Sequence, residues 1–258
     1  MSAAEVSDTD DDMLVAWAQN AEDIVLLRAF AGRHGGHFVD LGAGHPEIGS
    51  VTKNLVDRLG WSGVDVEPNP VLVALLRAAR PADSVVQAAV GARAGRSTMH
   101  FLPNNWGMAT LHEGVADDHA AAGWTVEGAE VEVVRLDDLL EAERVTPGFD
   151  LLKIDVEGAE AEVLASTDLD RWRPRVLVVE ATWPGTSRPT HETWEPGVVA
   201  AGYRLCLFDG LNRFYARSGE GALAEALSVP ANVFDRYVPA RWVAYERELR
   251  QSEDWDPR

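Results

Sequence analysis

The segment Phe38-Val39-Asp40-Leu41-Gly42-Ala43-Gly44 constrains this chain more than any other. A short apolar run over residues 37–41 enters a Gly-x-Gly turn, and a helical pattern resumes over residues 50–59. Strand, glycine turn and helix in that order make up half of a parallel βαβ unit. A second unit follows at once. Residues 61–66 read as a strand ending at Glu67-Pro68, and residues 71–79 as a helix closed by Pro81. Residues 85–90, rich in β-branched side chains, form a third strand, with another short one over 97–102.

The alternation continues. Strands are predicted over 131–136, 150–156 and 175–180, and helices over 139–144, 160–165 and 194–201. Residues 104–130 are rich in Gly, Asn and Asp without periodicity and read as a loop-rich insertion near the active face. Runs 203–208 and 213–216 flank Asp209-Gly210 closely enough for an antiparallel hairpin. The fold class is therefore α/β, a doubly wound and mostly parallel sheet with one reversed strand. Apolar spacing over 13–30 predicts one or two N-terminal helices capping a domain that spans 13–218. Residues 1–12 read as a disordered acidic lead-in and 219–258 as a helical tail.

The 42 acidic against 23 basic residues give a net charge of -19, a field that repels phosphate backbones and argues against nucleic-acid partners. Cys206 stands alone, so no internal disulfide or cysteine-built zinc site can form. The acidic N-terminus is unlike a secretory signal, and the apolar runs fall short of the ~20 residues that span a bilayer. A cytoplasmic protein without a membrane partner is expected. Homo-oligomerisation stays open.

Several side chains could carry chemistry. A dinucleotide-binding turn has a third glycine where this chain has Glu47, whose charge repels pyrophosphate. Asp40 before the turn suits a cationic ligand, such as one bearing an ammonium and a sulfonium. Glu67, at the carboxyl end of its strand, is placed to accept from ribose hydroxyls, with Asp65 as competitor. Asp155 ends a central strand beside the crevice, while Glu157 and Glu160 open the next helix, where the helix dipole favours carboxylates. Glu180 ends the neighbouring strand, so Asp155 and Glu180 together are a candidate divalent-cation (Mg2+) site. His191 is a candidate general base, although a surface loop position explains it equally well. His-Glu-x-x-His is absent, since Glu195 stands where its second histidine belongs.

Taken together, these motifs resemble the FkbM family of S-adenosylmethionine-dependent methyltransferases. The resemblance runs from about Ala18 to Tyr215 and rests on Gln19-Asn20-Ala21-Glu22-Asp23, the glycine turn, Ser50-Val51-Thr52-Lys53 and Gly60-Trp61-Ser62-Gly63. It also includes Val66-Glu67-Pro68, Leu152 through Glu160, the His191-Glu192-x-Trp194-Glu195 stretch and Asp209 through Tyr215. One departure is the turn His45-Pro46-Glu47-Ile48-Gly49, where a more acidic or asparagine-containing sequence is expected.

The resemblance implies a Rossmann-like sheet of seven strands with the last antiparallel, and methylation of a hydroxyl on a sugar or secondary metabolite. It places Asp40, Gly42, Ala43 and Gly44 at the methionine end of the cofactor, Glu67 at the ribose and Ala89 near the adenine. Gln19, Ser50 and Asp155 complete the implied cofactor set. The acceptor hydroxyl needs activation, either by His191 as base or by a cation on Asp155 and Glu180. Trp106, within Asn104-Asn105-Trp106-Gly107-Met108, suits part of a small-molecule acceptor pocket. Rival readings are a nicotinamide-dependent oxidoreductase, a non-catalytic binding module, and methylation at nitrogen or on a protein.

Overall fold

A computed structural model describes residues 13–251; the lead-in expected over residues 1–12 lies outside them. The chain opens with β1 (Leu14–Ala16) and α1 (Glu22–Ala29). It continues through β2 (His37–Leu41), α2 (Lys53–Leu59), β3 (Ser62–Val66), α3 (Pro70–Ala79) and β4 (Ser84–Val86). A side unit follows: β5 (Ala89–Val90), β6 (Gly95–Phe101), α4 (Glu113–Ala121), β7 (Glu127–Val134) and α5 (Leu136–Ala142). The alternation resumes with β8 (Leu151–Ile154), α6 (Glu160–Ala165), α7 (Leu169–Trp172), β9 (Val176–Glu180) and α8 (Glu195–Ala200). The hairpin β10 (Tyr203–Phe208) and β11 (Asn212–Arg217) leads to α9 (Gly221–Ala226), β12 (Tyr237–Pro239) and α10 (Ala240–Gln251).

The main sheet has seven strands in the order β10-β11-β9-β8-β2-β3-β4. From β9 to β4 all pairings are parallel, and β11 runs antiparallel to both β9 and β10. The expected doubly wound α/β sheet with its last strand reversed is thus present. From β2 the chain winds outward to β3 and β4, then returns to β8 on the other side. Strand order reverses between β2 and β8, and a crevice at their carboxyl ends is where such sheets bind ligands.

The central strands are buried on both faces, as parallel strands covered by helices must be. Side chains alternate between two cores: Leu152, Ile154, Leu177 and Val179 pack in one, Leu151, Val176, Val178 and Phe214 in the other. Asp65, buried on β3, is paired. Arg80, closing α3, donates to Asp65 Oδ1 at 2.9 Å, Thr52 Oγ1 at 2.8 Å, Ser50 Oγ at 2.7 Å and the Pro46 carbonyl at 3.1 Å. This guanidinium pins the loop after the glycine turn onto β3, so Asp65 has a structural partner rather than a ligand.

Four segments differ from expectation, each through long-range pairing. Leu14 and Val15 form a strand, not a helix, because β1 pairs in parallel with β12. The predicted strand over 85–90 divides: Val86 stays in the main sheet, while Ala89 and Val90 pair with Val133 and Val134 of β7. The region 104–130 contains α4 and the start of β7, which pairs with β6 from Gly95 to Phe101. The tail is not all helix, since β12 turns back to pair with β1 in a separate two-stranded sheet. Among the described residues, no helix is long and apolar enough to cross a membrane.

Candidate active site

A cavity of about 920 Å3 opens at the carboxyl ends of β2, β3 and β8, where the strand order reverses. Its floor is the glycine turn. Gly42 has φ +72°, and a Cβ there would lie 1.9 Å from the Asp155 carbonyl oxygen, so only glycine lets β2 and the end of β8 meet. Gly44 donates its N–H to Glu67 Oε2 at 3.0 Å, and Asn69 donates to Glu67 Oε1 at 2.8 Å. These bonds hold the Glu67 carboxylate at the cavity wall. Burial pushes its pKa up to about 7, against the pull of both N–H groups.

Of the residues read from the sequence, Gln19, Gly42, Ala43, Gly44, Glu67, Ala89, Asp155 and Trp106 line this cavity. Asp40 does not. It is 1% exposed beneath the turn, where Oδ2 accepts from Thr52 and Oδ1 lies 3.2 Å from Lys153 Nζ. Ser50 also stands off the cavity wall, accepting from Arg80 and from the Lys53 N–H at the start of α2. His191 lies outside the cavity lining, 2.9 Å from an Arg213 guanidinium nitrogen and 3.9 Å from Glu195.

Asp155, Glu157 and Glu180 come together, with carboxylate oxygens all within 4.8 Å of one another. Asp155 and Glu157 line the cavity and Glu180 sits behind them. Burial first, and then the neighbouring carboxylates, holds the Glu157 and Glu180 carboxyls well above the ordinary range. Glu160 plays a different part. Its Oε1 accepts from the N–H groups of Val156 and Gly158, both at 3.1 Å, and shapes the loop that presents Glu157.

Sequence reasoning missed three contributors. Lys153 points from β8 under the turn, where burial opposes its charge but Asp40 and Asp155 outweigh that and raise its pKa. A buried lysine in an otherwise apolar strand was the one local signal. His45 accepts N–H bonds from Glu47 and Ile48 at 3.1 Å and packs on Trp106 with ring centroids 5.7 Å apart. Tyr237, Pro239 and Arg241, from the β12–α10 segment, close the far wall; nothing local marked them.

Residues 40–205 match the FkbM methyltransferase domain, close to two-thirds of the chain. The chain belongs to the FkbM methyltransferase family. The matched region holds the glycine turn, Glu67, Asp155 and Glu180, while Gln19 and the far wall fall outside it. Among curated proteins this FkbM-family chain is 39% identical over 159 residues to the 31-O-demethyl-FK506 methyltransferase FkbM of Streptomyces tacrolimicus. That alignment covers 49% of this chain and 59% of the relative, so the chain spans less than two-thirds of that protein's length.

Solved structures give weaker likenesses. A TehB-like S-adenosylmethionine-dependent methyltransferase from Corynebacterium glutamicum is 12% identical, with a TM-score of 0.41 over 76% of this chain and 88% of that one. CalO1, a methyltransferase of calicheamicin biosynthesis solved with S-adenosylhomocysteine, is 18% identical, with a TM-score of 0.35 over 77% and 54%. Three features mark the cavity of this FkbM-family chain. An anchored carboxylate ends β3, bare backbone lines the turn, and Ala88, Ala89 and Val90 give an apolar edge beyond Glu67.

Proposed function

We propose that this protein methylates a hydroxyl oxygen of a small molecule, a sugar or a secondary metabolite, with S-adenosylmethionine as donor. The carrying observation is Glu67. Its carboxylate is fixed by two backbone N–H groups at the carboxyl end of β3 and faces the same cavity as Gly42, Gly44 and Asp155. The Streptomyces tacrolimicus relative, named for methylation at an oxygen of FK506, supports oxygen as the acceptor atom. At about 920 Å3 the cavity stands at the upper end of the range for ligand sites, in keeping with an acceptor seated beside the cofactor.

A bound S-adenosylmethionine would supply an electrophilic methyl group on a sulfonium, open to in-line attack by the acceptor oxygen with sulfur as the leaving group. The residues of the chain hold and orient. Glu67 takes the ribose, the glycine turn seats the methionine end, and Trp106 with His45 forms an aromatic wall suited to a sugar or macrocycle face. Asp155 is the cavity-facing carboxylate at the end of β8 and activates the acceptor hydroxyl, as its base or, with Glu180, as a ligand of a divalent cation that would lower the hydroxyl pKa. His191, bound to Arg213 and outside the lining, is the weaker candidate for that role.

A nicotinamide cofactor is disfavoured, because Glu47 occupies the third-glycine position and pairs with Lys53 at 3.2 Å. The test is calorimetric titration with S-adenosylhomocysteine, followed by turnover on hydroxylated macrolides and glycosides. Binding near one equivalent, weakened by Glu67→Ala, and S-adenosylhomocysteine release with hydroxyl acceptors are expected. Turnover confined to amines would overturn the choice of oxygen, and binding without any turnover would leave a cofactor-binding module.

A further inference from the structure

Three carboxylates meet at the rim of the cavity with little to balance them. Asp155, Glu157 and Glu180 present oxygens within 4.8 Å of one another. Lys153 is the nearest cation, but it is committed to Asp40 at 3.2 Å and to the Gly42 carbonyl at 2.8 Å, and reaches only Asp155 Oδ2, at 3.5 Å. Glu160, the fourth acid of this region, is already satisfied by two backbone N–H groups. Glu180 is different. It is 6% exposed, and its Oε2 is buried without a hydrogen-bond partner among the described residues. A buried carboxylate oxygen left unpaired beside two others costs free energy unless the group takes up a proton or a cation sits among them.

The spacing suits such a cation. Oxygens bound to Mg2+ at about 2.0–2.1 Å lie about 2.9 Å apart when adjacent and about 4.2 Å apart when opposite, so carboxylate oxygens within 4.8 Å of one another would close inward on the ion. An all-oxygen, all-carboxylate donor set selects Mg2+, Mn2+ or Ca2+ over softer metals. Three protein ligands leave open positions on the cavity side, where Asp155 and Glu157 face the space for an acceptor.

We infer that Asp155, Glu157 and Glu180 form a divalent-cation site that binds the acceptor hydroxyl beside the methyl donor. The inference rests on the hydroxyl-methylation reading and deepens it. Glu157 is the ligand that sequence did not supply, and Glu180 is the inner ligand that never touches the acceptor. A cation held there lowers the pKa of a hydroxyl directed at it. The proton passes to water as the carbon–oxygen bond forms and the carbon–sulfur bond breaks, its electron pair staying on sulfur, so no further reactant is required.

The experiment titrates Mn2+ into the full chain saturated with S-adenosylhomocysteine and reads free Mn2+ by electron paramagnetic resonance. One Mn2+ per chain is expected, displaced by Mg2+. Glu180→Gln should weaken Mn2+ roughly tenfold or more while S-adenosylhomocysteine affinity, read by calorimetry, stays within about twofold. If Glu180→Gln fails to fold, Glu157→Gln carries the same expectation. Protein that binds S-adenosylhomocysteine but shows no saturable Mn2+ binding, or whose variant binds Mn2+ as tightly as wild type, overturns the site. Wild type that fails to bind S-adenosylhomocysteine removes the donor-pocket reading instead, and the cation site with it.

Discussion

Lys153 Nζ lies 3.2 Å from Asp40 Oδ1, joining the two strands on either side of the sheet's switch point by a buried ion pair. The same ammonium donates to the Gly42 carbonyl at 2.8 Å, so one cation ties the strand, the glycine turn and the acid before it. Neither group is accessible enough for water to replace its partner. Lys153→Met should therefore leave Asp40 uncompensated and cost about 3–5 kcal/mol, read as a lower urea midpoint. Adding Asp40→Asn should recover part of that loss. Additive destabilisation in the double variant would mean the pair is not coupled as the distance suggests.

Gly42→Ala should disable the cofactor site more than it unfolds the protein. The new Cβ meets the Asp155 carbonyl at 1.9 Å, and the backbone at φ +72° disfavours any side chain. Strain of this kind costs about 1–3 kcal/mol, and relief by moving the Asp155 loop would displace a cavity wall. At least a tenfold loss of S-adenosylhomocysteine affinity is expected by calorimetry. Unchanged affinity would show that the turn and the Asp155 loop move independently.

Cofactor affinity should depend on pH through Glu67. Burial places its pKa near 7 in the empty site, and ribose hydroxyls donate to the ionised form. Binding then requires loss of a proton below pH 7, so affinity should be about tenfold weaker at pH 6 than at pH 8. Glu67→Gln should bind more weakly at pH 8 and show a flatter profile. A wild-type profile that is flat between these values would place the ribose elsewhere.

How far these features were legible depends on the range of the interactions behind them. The order of elements in the main sheet follows from local patterns, because a glycine turn or a valine-rich strand carries its signal within a few residues. Glu67 and Asp155 were readable for the same reason: each ends such a strand. The β1–β12 pairing was not, since Leu14 meets Tyr237 and neither run has a partner within its own window. The roles of Glu157 and Glu160 were ambiguous from sequence, which placed both at a helix start; the helix begins only at Glu160, and Glu157 lies in the loop before it. Only the backbone path shows Glu160 taking the two N–H groups and Glu157 left facing the cavity. Ser50 illustrates the converse: a motif residue beside the turn that Arg80 draws inward, away from the ligand space.

The strap before α1, which carries Gln19 into the cavity, is held by a buried acid whose charge should make stability pH-dependent. Glu22 accepts from Asn212 Nδ2 at 2.6 Å and from the Asn20 N–H at 2.8 Å, linking the strap to β11. Burial, then the nearby Asp209 and Asp23 carboxylates, raises its pKa from 4.5 to about 7. A raised folded-state pKa gives stability that is complete below the unfolded value near 4.5 and lost as pH climbs through 7. Between pH 5 and pH 8 the loss from this group is about 2–3 kcal/mol. Asp23, Glu67 and Glu160 shift in the same direction, so the wild-type curve alone cannot isolate Glu22. Comparison with Glu22→Gln does: wild type should lose ground to the variant in urea midpoint as pH rises from 5 to 8. Parallel midpoints across that window would mean that Glu22 stays ionised in the folded protein, with Asn212 and the Asn20 N–H sufficient to hold its charge.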